Sequence, residues 1–224
     1  ASCMDKNDCK RTHINFASTP STPLLFCTPA QATALLQEDR KPVFLIRHGL
    51  TAWNMQMRLQ GRENIPLNEE GRNQAMHCAS FLGKALAENK VPLQNVYASP
   101  LMRAYDTAAY IADMLNLGKP SIEKGLIERD YGSLSGLTPA KKKALYPTPA
   151  DYPKDVESIP NAARRMKRTL SQMCQEKADK AIVAVTHGGI MNALFSSLTG
   201  GRAGLGPNVT QNCAVAMVAV GRYD

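Results

Sequence analysis

Two short runs, Pro42-Val43-Phe44-Leu45-Ile46 and Ala181-Ile182-Val183-Ala184-Val185, carry no polar residue at either alternate position. A strand with one wet face alternates polar and apolar residues. A strand that does not alternate is covered on both faces, as in a parallel sheet lying between helices. Helix signals fill the intervals. Thr28-Pro29 can open a short helix through Leu36, and Asn68 can cap a long one whose first turn holds Glu69 and Glu70. Ala75, Cys78, Leu82 and Leu86 form one apolar stripe along the long helix. Asn95 to Ala98 reads as a strand, ended by Ser99-Pro100. That pair opens a helix carrying Ala104, Ala108, Ile111 and Leu115. Thr138-Pro139 caps a short basic helix, and the prolines of residues 147–160 mark a surface loop. A helix over 161–175, a Gly-Gly turn with a helix to Leu198, and a strand over 214–220 complete the chain. The expected fold is α/β: a three-layer sandwich with a mostly parallel central sheet and helices on both faces.

At 224 residues the chain matches one domain plus an appendage. Residues 1–28 are polar, rich in Ser, Thr and Pro, and aperiodic. They read as a poorly ordered extension, with the domain at 29–224. No run of about 18 apolar residues exists to span a bilayer, and no basic start with an apolar region marks a signal peptide. Either Met4 is the natural start, or Cys3 ends a lipoprotein leader whose apolar part is missing; the first reading implies a cytoplasmic protein. The six cysteines include no zinc-type spacing, and Cys78 and Cys213 read as buried thiols.

Lys plus Arg is 27 against 19 Asp plus Glu, a net charge of +8. Such a charge suits nucleic acid or a small anionic ligand. The densest clusters, Lys141-Lys142-Lys143 and Arg164-Arg165-Met166-Lys167-Arg168, lack interleaved aromatics and read as solvated helix faces. No nucleic-acid partner is expected.

Of the four histidines, His48 and His187 follow the strands Val43–Arg47 and Ala181–Thr186, one residue past the apolar runs, and each is followed by glycine. Ligands of open α/β sheets bind at the carboxyl ends of strands, and glycine lets the backbone approach an anion. His77 reads as a surface residue and His13 lies in the extension. Around the two strand ends, Leu45-Ile46-Arg47-His48-Gly49-Leu50-Thr51-Ala52-Trp53-Asn54 resembles the signature of the histidine phosphatase superfamily, which includes the phosphoglycerate mutases. Gln60 to Asn68, Gly71 to Ala75, Ser99 to Ala104 with Thr107-Ala108, Leu126 to Gly136, and Thr186-His187-Gly188-Gly189 continue the resemblance in order. It covers about residues 42–220.

The resemblance implies an enzyme acting on phosphomonoesters. A phosphomonoester is a dianion, and the arginine fork suits it. Arg47 and Arg103 would grip the phosphoryl group, with His187 and Asn54 completing the ring and Gln60, Gly61 and Gly188 also in contact. His48 would be the nucleophile, forming a phosphohistidine that water hydrolyses. Glu128 would donate the proton to the leaving group and then accept one from water. Pairing with Arg129 is the plainer role open to Glu128, and Asp130 is the second candidate for the acid. Trp53 is expected to pack near the site. With arginines supplying the positive field, no metal and no cofactor is expected.

Mutases and phosphatases of this family share the phosphohistidine. The Glu128-Arg129-Asp130-Tyr131-Gly132 block is close to the mutase form. Against it, Pro139 stands where mutases carry a lysine, and the stretch 147–160 lacks the mutase arginine pair. Gln60-Gly61 and His187-Gly188-Gly189 also resemble the phosphatase branch. A phosphatase of small phosphorylated metabolites is the expected activity, with a 2,3-bisphosphoglycerate-dependent phosphoglycerate mutase as the alternative. A non-catalytic binding protein on the same fold is the remote one. Specificity is expected from Gln60, Arg62, Arg129 and the segment between Ser133 and Ile159. The assembly is expected to be a monomer or homodimer.

Overall fold

The structure is a computed structural model. It describes residues 24–27, 31–38, 40–175, 179–204 and 210–221, with the first four as backbone only. In chain order the elements are β1 (Leu24–Cys27), α1 (Ala32–Gln37), β2 (Arg40–Arg47), α2 (Ala52–Met55), α3 (Glu69–Glu88) and β3 (Leu93–Ala98). They continue with α4 (Met102–Met114), β4 (Ser121–Ile122), α5 (Pro139–Leu145), α6 (Ile159–Met173), β5 (Ala181–Thr186), α7 (Gly188–Thr199) and β6 (Val215–Gly221). They build one six-stranded sheet of order β1-β6-β2-β5-β3-β4. β2, β5, β3 and β4 run parallel, while β6 is antiparallel to both of its neighbours.

The absence of alternation in the two apolar runs has its counterpart in burial on both faces. Phe44 and Ile46 of β2, with Val183 and Val185 of β5, pack beneath α1, α3 and α4. Val43 and Leu45, with Ile182 and Ala184, pack beneath α6 and α7. All eight side chains are fully buried, and burying each aliphatic one contributes about 1.5–3 kcal/mol.

Two expected helix starts hold, at Asn68 and Thr138, while α4 starts at Met102, behind Leu101 and past the expected Ser99-Pro100 opening. The Asn68 side chain accepts from the Gly71 amide at 2.7 Å, and Ala75, Cys78, Leu82 and Leu86 are buried beneath α3. Thr138 caps α5, with Pro139 in the first turn. Three further expectations change. Leu24–Cys27, read as part of the extension, pairs with β6 as an edge strand; four residues without a turn signal gave no strand pattern. Pro160, read as loop, lies in the first turn of α6 behind the Ser158 cap, where proline's missing N–H costs nothing. The two-residue β4 was too short to read. Thr28 and Pro29 lie outside the described residues, and α1 begins behind Gln31. No helix among the described residues is long and apolar enough to cross a membrane.

Register sets the site. Arg47 of β2 is aligned with Thr186 of β5 in neighbouring parallel strands, so the residues that follow them, His48 and His187, leave the sheet side by side. The start of α3 presses against this exit. A Cβ on Gly49 would lie 2.4 Å from the Gly71 carbonyl oxygen, and one on Gly71 would lie 2.0 Å from that of Leu50. Gly71→Ala should therefore push the Gly49–Leu50 turn outward. We expect a loss of about 1–3 kcal/mol in thermal or urea unfolding, together with reduced turnover. A variant as stable as the parent would show that the turn can yield.

Candidate active site

His48 extends the parallel ladder by one bond, its amide donating to the Thr186 carbonyl at 3.0 Å. Its Nδ1 lies 2.7 Å from the Gly49 carbonyl. A carbonyl only accepts, so Nδ1 carries the proton and Nε2 keeps its lone pair. Arg103 supports the same tautomer: its Nε donates to His48 Nε2 at 3.2 Å. Burial first, then the charges of Arg47 and Arg103, hold the His48 imidazole well below its usual pKa, against the opposing Gly49 carbonyl. The nucleophile expected from the sequence is thus a neutral imidazole whose unprotonated nitrogen, Nε2, is held by Arg103.

Arg103 is fully buried near the start of α4. Its Nη1 donates to the Glu63 carbonyl at 2.6 Å and its Nη2 to the Gly61 carbonyl at 2.8 Å. Thr107, one turn on, donates to the Arg103 carbonyl and accepts from the Gly49 amide. Arg47 donates to the Thr210 carbonyl through Nη1, at 2.5 Å. A Cβ on Gly188 would sit 3.1 Å from Arg47 Nε, so glycine there makes room for the guanidinium. Burial lowers the pKa of both arginines. For Arg103 it reaches about 10, with Glu128 opposing the fall and Arg47 adding to it; both stay cationic at neutral pH. Neither forms an ion pair with a carboxylate of the described residues.

His187 is fully buried as the N-cap of α7, its ring centroid 5.2 Å from that of His48. Its Nε2 pairs with Ser99 Oγ at 2.7 Å. Burial, then the positive field of Arg103 and its neighbours, holds its pKa well below the usual value. Three buried side-chain polar atoms of the described residues have no partner: Arg47 Nε, Gln60 Oε1 and His187 Nδ1. All three belong to residues expected in the phosphate site. Asn54 spends its Oδ1 on the Thr51 capping box and on Asn212, so its Nδ2 is the group it can turn to a ligand. Gly61, at φ 51°, lends its carbonyl to Arg103.

Glu128 is buried, and its carboxylate accepts from three backbone amides: Arg129 at 2.7 Å, Gly189 at 2.9 Å and Ile190 at 2.7 Å. The last two are the free donors at the start of α7, where the helix dipole favours an anion. The Gly189 and Ile190 amides are therefore taken by Glu128. Its plainer alternative, a pair with Arg129, does not form; that guanidinium turns to the Glu157 carbonyl and the Tyr131 ring. Burial, then the charge of Glu128, pushes the pKa of the Tyr131 hydroxyl up. Asp130, the second candidate acid, is engaged by Arg62 at 3.0 Å and by the Gly132 amide.

Trp53 packs under Arg58, whose guanidinium carbon lies 4.4 Å from the ring centroid. Exposed His77 matches its surface reading. Sequence reading missed Asn212, which donates to the His48 carbonyl at 2.9 Å. It also missed Arg165, whose guanidinium is buried against the loop that carries Glu128 rather than solvated. Neither carries a local signal, since their partners stand far away in the chain.

The two depressed histidines make stability depend on pH. The unfolded chain takes protons as pH falls through about 6.5, while the folded site refuses them until well below it. In that window the unfolded state binds more protons, so stability rises with pH and is lost on acidification. The melting temperature should drop from about pH 6.5 to about pH 5, and His187→Asn should show a shallower drop. Equal slopes would remove His187 from the linkage.

Comparison with known proteins agrees with this geometry. The family model of the histidine phosphatase superfamily, branch 1, matches residues 43–223. A metal-independent phosphoserine phosphatase of Arabidopsis thaliana is 35% identical over 174 residues, covering 73% of this chain and 71% of the relative. A 2,3-bisphosphoglycerate-dependent phosphoglycerate mutase of Gloeobacter violaceus is 30% identical over 167 residues, covering 69% and 74%. The solved structure of a mycobacterial glucosyl-3-phosphoglycerate phosphatase complexed with VO3 superposes with a TM-score of 0.66 at 29% identity, covering 79% of this chain and 92% of that one.

Proposed function

The chain belongs to the histidine phosphatase superfamily, and on that footing we propose that it hydrolyses small phosphorylated metabolites through a phosphohistidine on His48, without a metal ion. The observation that carries this reading is the His48 tautomer: Nδ1–H held by the Gly49 carbonyl, Nε2 unprotonated beside buried Arg103, with half-buried Arg47 on the same strand end. A phosphoryl oxygen competes for the Arg103 Nε–H and frees the Nε2 lone pair. That pair then forms the N–P bond as the ester P–O bond breaks. Arg47 and Arg103 balance the charge on the equatorial oxygens, which is where phosphoryl transfer needs stabilisation. Glu128 accepts its amide N–H bonds as a carboxylate, so it takes a proton from the entering phosphate monoester monoanion and passes it to the leaving alkoxide. In the second half it takes a proton from water, hydroxide attacks phosphorus, the N–P bond breaks and phosphate leaves.

The relatives named as a phosphoserine phosphatase and a glucosyl-3-phosphoglycerate phosphatase support small phosphorylated metabolites as the substrate class. The metal-independent activity named for one of them, and the arginine pair here, support the absence of a metal requirement. The mutase relative favours a second reading. Against it, the segment between α5 and α6 holds only one short turn, Pro149–Asp151, and no arginine, which suits a site that water enters.

Rapid quench with a labelled substrate in EDTA should yield an acid-labile, base-stable phosphoprotein that His48→Ala abolishes along with turnover. With 3-phosphoglycerate and its bisphosphate cofactor, free phosphate should form faster than 2-phosphoglycerate. Activity that EDTA removes and magnesium restores would overturn metal independence, and near-normal turnover by His48→Ala would overturn the nucleophile.

Glu128→Gln keeps size and one acceptor oxygen, gives up the second oxygen that the α7 amides use, and has no carboxylic proton. It should slow alkyl phosphates by roughly 10²–10⁴ and slow p-nitrophenyl phosphate, whose leaving group needs little protonation, far less. Asp130→Asn should show no such contrast. Equal losses on both esters from Glu128→Gln would assign that residue to phosphate positioning instead.

A further inference from the structure

Glu128 sits on an irregular stretch, residues 123–131, which has only a single helical turn at Lys124–Leu126 to stiffen it. A proton donor must be held to a fraction of an ångström, so something else must fix this loop. Arg165, in the middle of α6, donates every N–H it has to it or to its support. Nη1 reaches the carbonyls of Gly125 at 2.9 Å and Ile127 at 2.8 Å. Nη2 reaches the Glu128 carbonyl at 3.3 Å and Glu157 Oε2 at 2.8 Å. Nε reaches Glu157 Oε1 at 2.9 Å. A guanidinium has five N–H groups, and all five are used.

Glu157 closes the clamp from the other side. Its carboxylate also accepts from the Asp130 amide at 3.1 Å. Its own amide donates to the Asp130 carbonyl at 2.9 Å, and its carbonyl accepts from Arg129 Nε at 2.6 Å. Burial works against its ionisation, but the hydrogen bonds from Arg165 and Asp130 and the charges of Arg165 and Arg62 prevail and hold its pKa below the usual carboxylate range. The side chains of the pair are only 17% and 15% exposed, a setting in which a two-pronged ion pair fixes geometry far better than a solvated one. The helix itself is seated tightly: a Cβ on Gly125 would lie 2.0 Å from Thr169 Oγ1.

We propose that Arg165 and Glu157 are positioning residues that set the place of the Glu128 carboxyl group, and so control protonation of the leaving group rather than attack on phosphorus. The inference rests on Glu128 being the proton donor. Neither residue touches the nucleophile or the arginines of the phosphate site. Their removal should leave phosphate binding intact and appear only where a proton is needed.

The test compares Arg165→Lys, Glu157→Gln, Glu128→Gln and the double variant Arg165→Lys/Glu128→Gln with the parent enzyme. Each is assayed on an alkyl phosphate and on p-nitrophenyl phosphate, with inorganic phosphate as competitive inhibitor and a thermal melt. Arg165→Lys keeps the charge but loses the fork. It should lower kcat for the alkyl ester by roughly 10- to 100-fold, the scale of a misplacement of about 1 Å. The aryl ester should lose no more than about threefold, and the inhibition constant of phosphate should not move. Glu157→Gln should repeat the contrast and serves as the probe if Arg165→Lys does not fold. In the Glu128→Gln background, Arg165→Lys should add nothing on the alkyl ester, because its effect passes through Glu128.

Equal losses on both esters, a weakened phosphate inhibition, or an additive loss in the double variant would overturn the clamp. If Glu128→Gln shows the ester contrast and Arg165→Lys and Glu157→Gln do not, the clamp falls and the acid assignment stands. If Glu128→Gln itself shows no contrast, the acid assignment falls and takes the clamp with it.

Discussion

Arg47 and Arg103 bring two positive charges to the end of the sheet without a carboxylate in ion-pair contact among the described residues. Buried charge is unfavourable unless it is answered, and the neighbouring groups are arranged to answer it only in part. Backbone carbonyls of Gly61, Glu63 and Thr210 take individual N–H groups. Glu128 contributes a stabilising field from the start of α7 without pairing. The two imidazoles are held neutral beside them. On the proposed function, a phosphate dianion would complete this arrangement, where a neutral or cationic ligand would not.

The same charges explain why Glu128 is tied to the helix terminus and not to an arginine. Amide donors at Gly189 and Ile190 hold the carboxylate in place without neutralising the cations. Glycine at 189 is required for that fit, because a Cβ there would lie 2.7 Å from Glu128 Oε1 and 2.6 Å from the Tyr131 hydroxyl. The two glycines after His187 thus have separate tasks: Gly188 admits Arg47 and Gly189 admits Glu128.

The fold and the neighbouring strand ends that carry His48 and His187 were legible in the residues because both rest on local patterns. Runs without alternation have to be covered on two sides, so β2 and β5 belong in the middle of a parallel sheet with helices on both faces. A residue placed directly after such a strand emerges at the carboxyl edge of the sheet, which brings His48 and His187 together. Caps at Asn68 and Thr138 depend on a side chain meeting an amide three residues away, and they were readable for the same reason.

What could not be read is everything set by meetings between distant segments. Cys213, adjacent to Asn212, bonds the Arg47 carbonyl, and Asn212 bonds that of His48, across more than 160 residues of chain. The direction of β6, the edge strand β1 and the recruitment of the α7 amides by Glu128 follow from how finished elements pack, not from composition or period. Arg165 is the sharpest case. Within a basic run it looks like one more solvated charge, and its exposed neighbours Arg164 and Arg168 are that. One helical position, turned toward the loop at 123–131, ties the same residue type to the carbonyls of Gly125, Ile127 and Glu128. Local sequence carries periodicity and therefore layers and strand ends. The partner of a long charged side chain depends on which loop the finished helix happens to face, and that is a property of the packed whole.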